Sequence, residues 1–85
     1  MIKVNEVVNE MDLGDQVILE VHGKTLGLNR TGREIYLKIK EGRVLEEISA
    51  YMEEIFGCGN NYMNDIQEYV HKMKEFGIVQ GENND

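Results

Sequence analysis

An α+β domain, three short strands followed by three helices, is the fold this 85-residue sequence predicts. Three observations predict it. Apolar residues alternate at period two up to Leu28 and recur at spacings of three and four beyond it. Nine glycines and no proline punctuate the stretches between. The length leaves room for one domain, given the usual ~100–200 residues for each, and so small a sheet needs a helix layer on one face.

Each element has its own signal. Residues 2–9 (IKVNEVVN) mix β-branched and polar residues and predict the first strand, with a turn at Asp12-Leu13-Gly14-Asp15. In residues 16–21 (QVILEV), Val17, Leu19 and Val21 occupy one face and Ile18 and Glu20 the other, the pattern of a half-buried strand. His22-Gly23-Lys24 reverses the chain. Thr25-Leu26-Gly27-Leu28 then returns as the third strand, Leu26 and Leu28 toward the core and Thr25 and Gly27 outward. For the first helix, Asn29 can serve as the cap and Thr31-Gly32-Arg33-Glu34 fits a capping box; both starts stay open. Ile35, Tyr36 and Ile39 share its inner face, and Gly42 ends it. A second helix over residues 44–56 is expected to bury Leu45, Ile48, Met52 and Ile55 and to expose Glu46, Glu47, Glu53 and Glu54. Gly57-Cys58-Gly59 breaks it. A third helix over residues 61–76 carries Tyr62, Met63, Ile66, Tyr69, Val70, Met73 and Phe76, with Gly77 beyond its end and Ile78-Val79 tucking back as an anchor. Residues 1–79 are expected to form the domain and residues 80–85 (QGENND) a polar tail.

Composition narrows the function. The net charge is −7, but residues 24–43 carry six bases against two acids, while the flanking segments are acidic. A negative whole disfavours nucleic acid and anionic membranes and suits a cationic partner. A winged helix would place the third helix in a major groove, yet that helix sets Asp65, Glu68 and Glu75 against Lys72 and Lys74 and has no arginine. One cysteine excludes an internal disulfide, and two histidines with that cysteine have no zinc-like spacing, so no metal or cofactor is expected. No apolar run nears the ~20 residues of a membrane helix, and MIKVNEVVNE is charged where a signal peptide is apolar. The cytoplasm is the expected compartment. Catalysis has little to draw on: Cys58 and His71 are the only thiol–imidazole option besides His22, Cys58 lies in a glycine-flanked turn, and Glu46/Glu47 and Glu53/Glu54 diverge by ~100° around their helix.

Binding through a sheet edge remains. The strand Lys24 to Leu28 is short, with no proline to guard it, and an extended peptide can add there as a further strand. The third helix could supply side-chain pockets through Tyr62, Tyr69 and Met73, although Ile66, Val70 and Met73 read first as core.

Four stretches together resemble the PqqD-like family: Gly27-Leu28-Asn29-Arg30-Thr31-Gly32-Arg33-Glu34-Ile35; Gly42-Arg43-Val44-Leu45-Glu46-Glu47-Ile48; Asp65-Ile66-Gln67-Glu68-Tyr69-Val70; and Phe76-Gly77-Ile78-Val79. One departure is Val44, where relatives often have Ser or Thr, so the second helix lacks its usual cap. The resemblance implies a winged helix-turn-helix-like fold and a recognition element for ribosomally made, post-translationally modified peptides. Such proteins hold the leader segment of a precursor peptide and present it to a partner enzyme, without catalysing a reaction themselves. The leader adds antiparallel to the third strand, and its side chains fall between that strand and the third helix. Carried over, the peptide-contacting set is Thr25, Leu26, Gly27, Leu28, Asp65, Ile66, Tyr69, Lys72 and Met73. The resemblance points to a lasso-peptide pathway with a separate leader peptidase. Its alternative is a pyrroloquinoline quinone pathway, where the partner is a radical enzyme. A monomer, or a weak homodimer paired through the open edge, is expected.

Overall fold

The computed structural model describes residues 2–81, running β1 (Lys3–Val4), β2 (Asn9–Asp12), β3 (Val17–Val21), β4 (Lys24–Leu28), α1 (Arg30–Lys40), α2 (Leu45–Phe56), α3 (Tyr62–Glu75) and β5 (Val79–Gln80). The expected three-stranded antiparallel sheet is formed in the order β2-β3-β4, with three helices after it. Its first strand lies elsewhere than the sequence suggests. Residues 2–9 do not form one strand: they divide into β1 and a turn, and β2 extends through Asp12, into the expected turn. The reason is side-chain partnership. Asp12 receives two bonds from the Arg33 guanidinium, at 2.7 and 2.9 Å, and Glu10 pairs with Lys40, so both acids of β2 are drawn toward α1.

β1 pairs instead with β5, Lys3 opposite Gln80 and Val4 opposite Val79. The Asn5 N–H donates to the Ile78 carbonyl at 2.8 Å, joining the two ends of the described chain. Gln80, the first residue of the expected tail, therefore lies in a strand, while residues 82–85 fall outside the described residues.

The helix ends follow local chemistry. Asn29 caps α1, its Oδ1 accepting from the Gly32 N–H at 2.9 Å, so Thr31 lies within the helix. Val44 has no side-chain oxygen, and only half a capping box forms before α2: the Glu47 carboxylate accepts from the Val44 N–H at 3.1 Å. After α3, Gly77 takes φ +79°, letting the Ile78 N–H reach the Met73 carbonyl at 2.8 Å and the Gly77 N–H reach Lys74 at 3.0 Å. This Schellman closure delivers Ile78 and Val79 into the core, as the sequence anticipates.

The core lies between the inner sheet face and the three helices. It takes Val17, Leu19 and Val21 from β3, Leu26 and Leu28 from β4, and the inner stripes of α1, α2 and α3. No polar or charged residue is buried among the described residues. Ile55 departs from expectation. It is exposed although it shares the angular stripe of Leu45, Ile48 and Met52, because it sits in the last turn of α2, two residues before the chain leaves the helix at Gly57.

Candidate functional site

β4 occupies one border of the sheet, and its pairing determines what it offers. The β3–β4 hairpin turns through two residues, His22 at φ +50° and Gly23 at φ +81°, with Val21 opposite Lys24. Positive φ at both positions marks the type I′ turn, whose flanking pair exchanges both backbone hydrogen bonds. Alternation along the ladder then directs the backbone groups of Lys24, Leu26 and Leu28 toward β3 and those of Thr25 and Gly27 outward. Two N–H and two C=O groups thus line a free edge. A Cβ built on Gly27 would meet nothing within 4 Å, so the approach is open.

Beyond the end of β4, α1 and α3 close one side of a groove. The Tyr69 hydroxyl donates to Asn29 Oδ1 at 2.9 Å, the same oxygen that caps α1. The Tyr69 ring lies across Gly32, where a Cβ would stand 2.8 Å from Cε1 and 3.1 Å from the Leu28 Cβ. Only a glycine lets strand end, helix start and ring meet this closely. Outside this junction opens a cavity of about 350 Å³ lined by Thr31, Asp65, Glu68, Tyr69 and Lys72. Two carboxylates and an ammonium around a half-buried aromatic suit a side chain with an apolar body and a polar or cationic tip.

The expected contact residues divide by what they can present. Thr25 and Gly27 are exposed and supply backbone, while Leu26 and Leu28 are buried with their side chains inward. Asp65, Tyr69 and Lys72 line the cavity. Ile66 and Met73 are each 0% exposed; they support the groove from beneath and show no side-chain surface to a guest. Sequence reasoning passes over Asn29, Thr31, Gly32 and Glu68. For Glu68 a signal exists, since it follows Asp65 by three residues and precedes Lys72 by four, the spacing of one helix face.

Other chemistry is sparse among the described residues. Cys58 is exposed, and His71 pairs with Glu75 at 2.7 Å. Among the described residues, no group of three or more potential metal ligands converges, and no helix is long and apolar enough to cross a membrane.

Residues 15–79 match the family described as coenzyme PQQ synthesis protein D (PqqD), a stretch that begins after β2. Among solved structures, the chain is similar to one described as TbiB1 in complex with the TbiA(beta) leader peptide. The TM-score is 0.84 at 20% identity, with 94% of this chain and 96% of that chain covered, and the likeness extends the shared fold over nearly the whole length. No curated protein matches.

Proposed function

The chain belongs to the PqqD family, and on that premise we propose that it captures the leader segment of a ribosomally made precursor and delivers it to the enzyme that modifies or cleaves that precursor. The observation that carries this reading is the free β4 edge opening beside the Tyr69 groove. A disordered leader adds antiparallel to β4 as a fourth strand, meeting the outward groups of Thr25 and Gly27. That TbiB1, a chain of the same fold, is seen with a leader peptide supports this kind of guest.

The energetics suit a transient capture. About four backbone hydrogen bonds at ~1 kcal/mol each and two or three buried anchors at ~1.5–3 kcal/mol each stand against ~2–5 kcal/mol for ordering the guest. Micromolar binding needs ~8 kcal/mol, within that range. The backbone part is blind to sequence, so choice of leader falls to the groove: Tyr69 and Thr31 as walls, and Asp65, Glu68 and Lys72 as charges.

Within this reading we place the protein in lasso-peptide synthesis, with a separate leader peptidase as its partner. Leaders there often present a Tyr-x-x-Pro segment and basic residues, which an aromatic groove rimmed by carboxylates accommodates. The protein acts as a binder rather than a catalyst, in the cytoplasm where precursors are made.

Gly27→Pro tests the reading. The Gly27 N–H points away from β3, so a proline ring there costs the ladder nothing while removing a donor from the free edge. A labelled leader should bind at least ten-fold more weakly, with the circular-dichroism spectrum unchanged. Unchanged affinity in the folded variant would overturn the proposal.

A further inference from the structure

The free edge of β4 is one border of a sheet whose outer face has its own chemistry. β2 is exposed along its whole length: Glu10 and Asp12 lean toward Lys40 and Arg33 of α1, while Met11 and, just past the end of the strand, Leu13 are 61% and 49% exposed. Ile18, half-buried on the outer face of β3, stands directly opposite Met11, and Gly27 stands opposite Ile18 on the other side. Ion pairs to α1 take the positions of β2 that flank the core, and its one apolar side chain, Met11, is left in water where folding alone favours a polar residue. This arrangement leaves an apolar patch where solvation calls for polar residues.

This patch is continuous with the leader site. The row Met11–Ile18–Gly27 runs across the sheet to the border strand, and a guest residue paired with Gly27 extends it by one position. At ~4.8 Å per strand, the resulting band is about 14 Å wide, protein at one end and captured peptide at the other. Asp15 and Glu20 flank it with negative charge.

We infer that the outer sheet face, centred on Met11, Leu13 and Ile18, is the docking surface for the enzyme that acts on the captured precursor, which meets it with apolar side chains ringed by lysine or arginine. The inference rests on the leader-capture reading: a surface shared by host and guest suits a partner that must hold both. A second copy of this chain is disfavoured, since docking would bring two acidic surfaces of −7 molecules together.

The test uses the full chain, a labelled leader, and the purified enzyme that modifies or cleaves the same precursor. Met11→Glu with Leu13→Glu alters only exposed positions, so the fold and the leader affinity should stay within about two-fold of wild type. Enzyme turnover stimulated by this protein should fall at least ten-fold, and Met11→Leu should retain it. Undiminished stimulation by the double variant, with leader binding intact, overturns the docking surface. So does sedimentation showing a wild-type dimer that the double variant dissolves while stimulation persists. Absence of leader binding by the wild type overturns instead the capture reading beneath it.

Discussion

Gly32 shows how much one residue can carry. In the sequence, Thr31-Gly32-Arg33-Glu34 reads as a candidate cap, and a glycine in a first helical turn is merely a weak helix former. In the fold its missing side chain admits the Tyr69 ring, and Asn29 Oδ1 receives both the Gly32 N–H and the Tyr69 hydroxyl. Gly32→Ala places a methyl 2.8 Å from that ring, so Tyr69 must swing away from Asn29 and into the groove. The helix gains about 1 kcal/mol in propensity and loses a hydrogen bond of about the same size, so the urea midpoint should move little. Leader affinity should fall roughly five-fold, the equivalent of about 1 kcal/mol at the groove. Unaltered binding by the folded variant would show that Tyr69 does not shape the site. The partners of Gly32 lie at positions 28, 29 and 69, and no local pattern announces the last of them.

Among the elements, β2 departs most from expectation. Its four residues, Asn9–Asp12, lack the apolar–polar alternation that marks β3, and ion pairs to α1 hold it instead. The Arg33 guanidinium, with the Gly14 N–H behind it, holds the Asp12 carboxyl down at about 2, from an ordinary 3.8. A carboxyl lowered by folding stabilises the folded state above its unfolded value and loses that contribution as pH falls through the folded one. The stability contributed by the strap between β2 and α1 should therefore be full above about pH 4 and decline as pH falls toward 2, while the strap itself is half released in the folded protein only at about 2. Side-chain NMR of Asp12 should show a midpoint near 2, returning toward 3.8 in Arg33→Ala; the same midpoint in both would sink the assignment. The helices were far more legible. Spacings of three and four marked the buried stripes of α1 and α3, and Ile55 alone strayed on α2.

At the scale of the molecule, charge and shape act together. On the proposed reading, a −7 host with a partly acidic groove should attract a leader bearing lysine or arginine over a distance set by salt, about 10 Å at 0.1 M. Raising salt to about 0.5 M should therefore slow association several-fold and leave dissociation nearly unchanged. A leader with its basic residues neutralised should lose that dependence; a salt-independent rate for the native leader would remove the electrostatic part of the account. The sequence by itself determined the α+β order, the inward faces of β3 and β4, the three helices with their glycine stops, and β4 as a border strand with an open edge. Each of these follows from periodicity or turn chemistry within a few residues. Tertiary structure alone decided that β1 pairs with β5, that Asn29 rather than Thr31 caps α1, that Ile66 and Met73 are wholly buried in the core, and that β2 leaves Met11 in water. Those outcomes depend on contacts between residues up to 77 positions apart, Lys3 with Gln80 at the extreme. Packing and ion pairing set them, and local pattern does not record either.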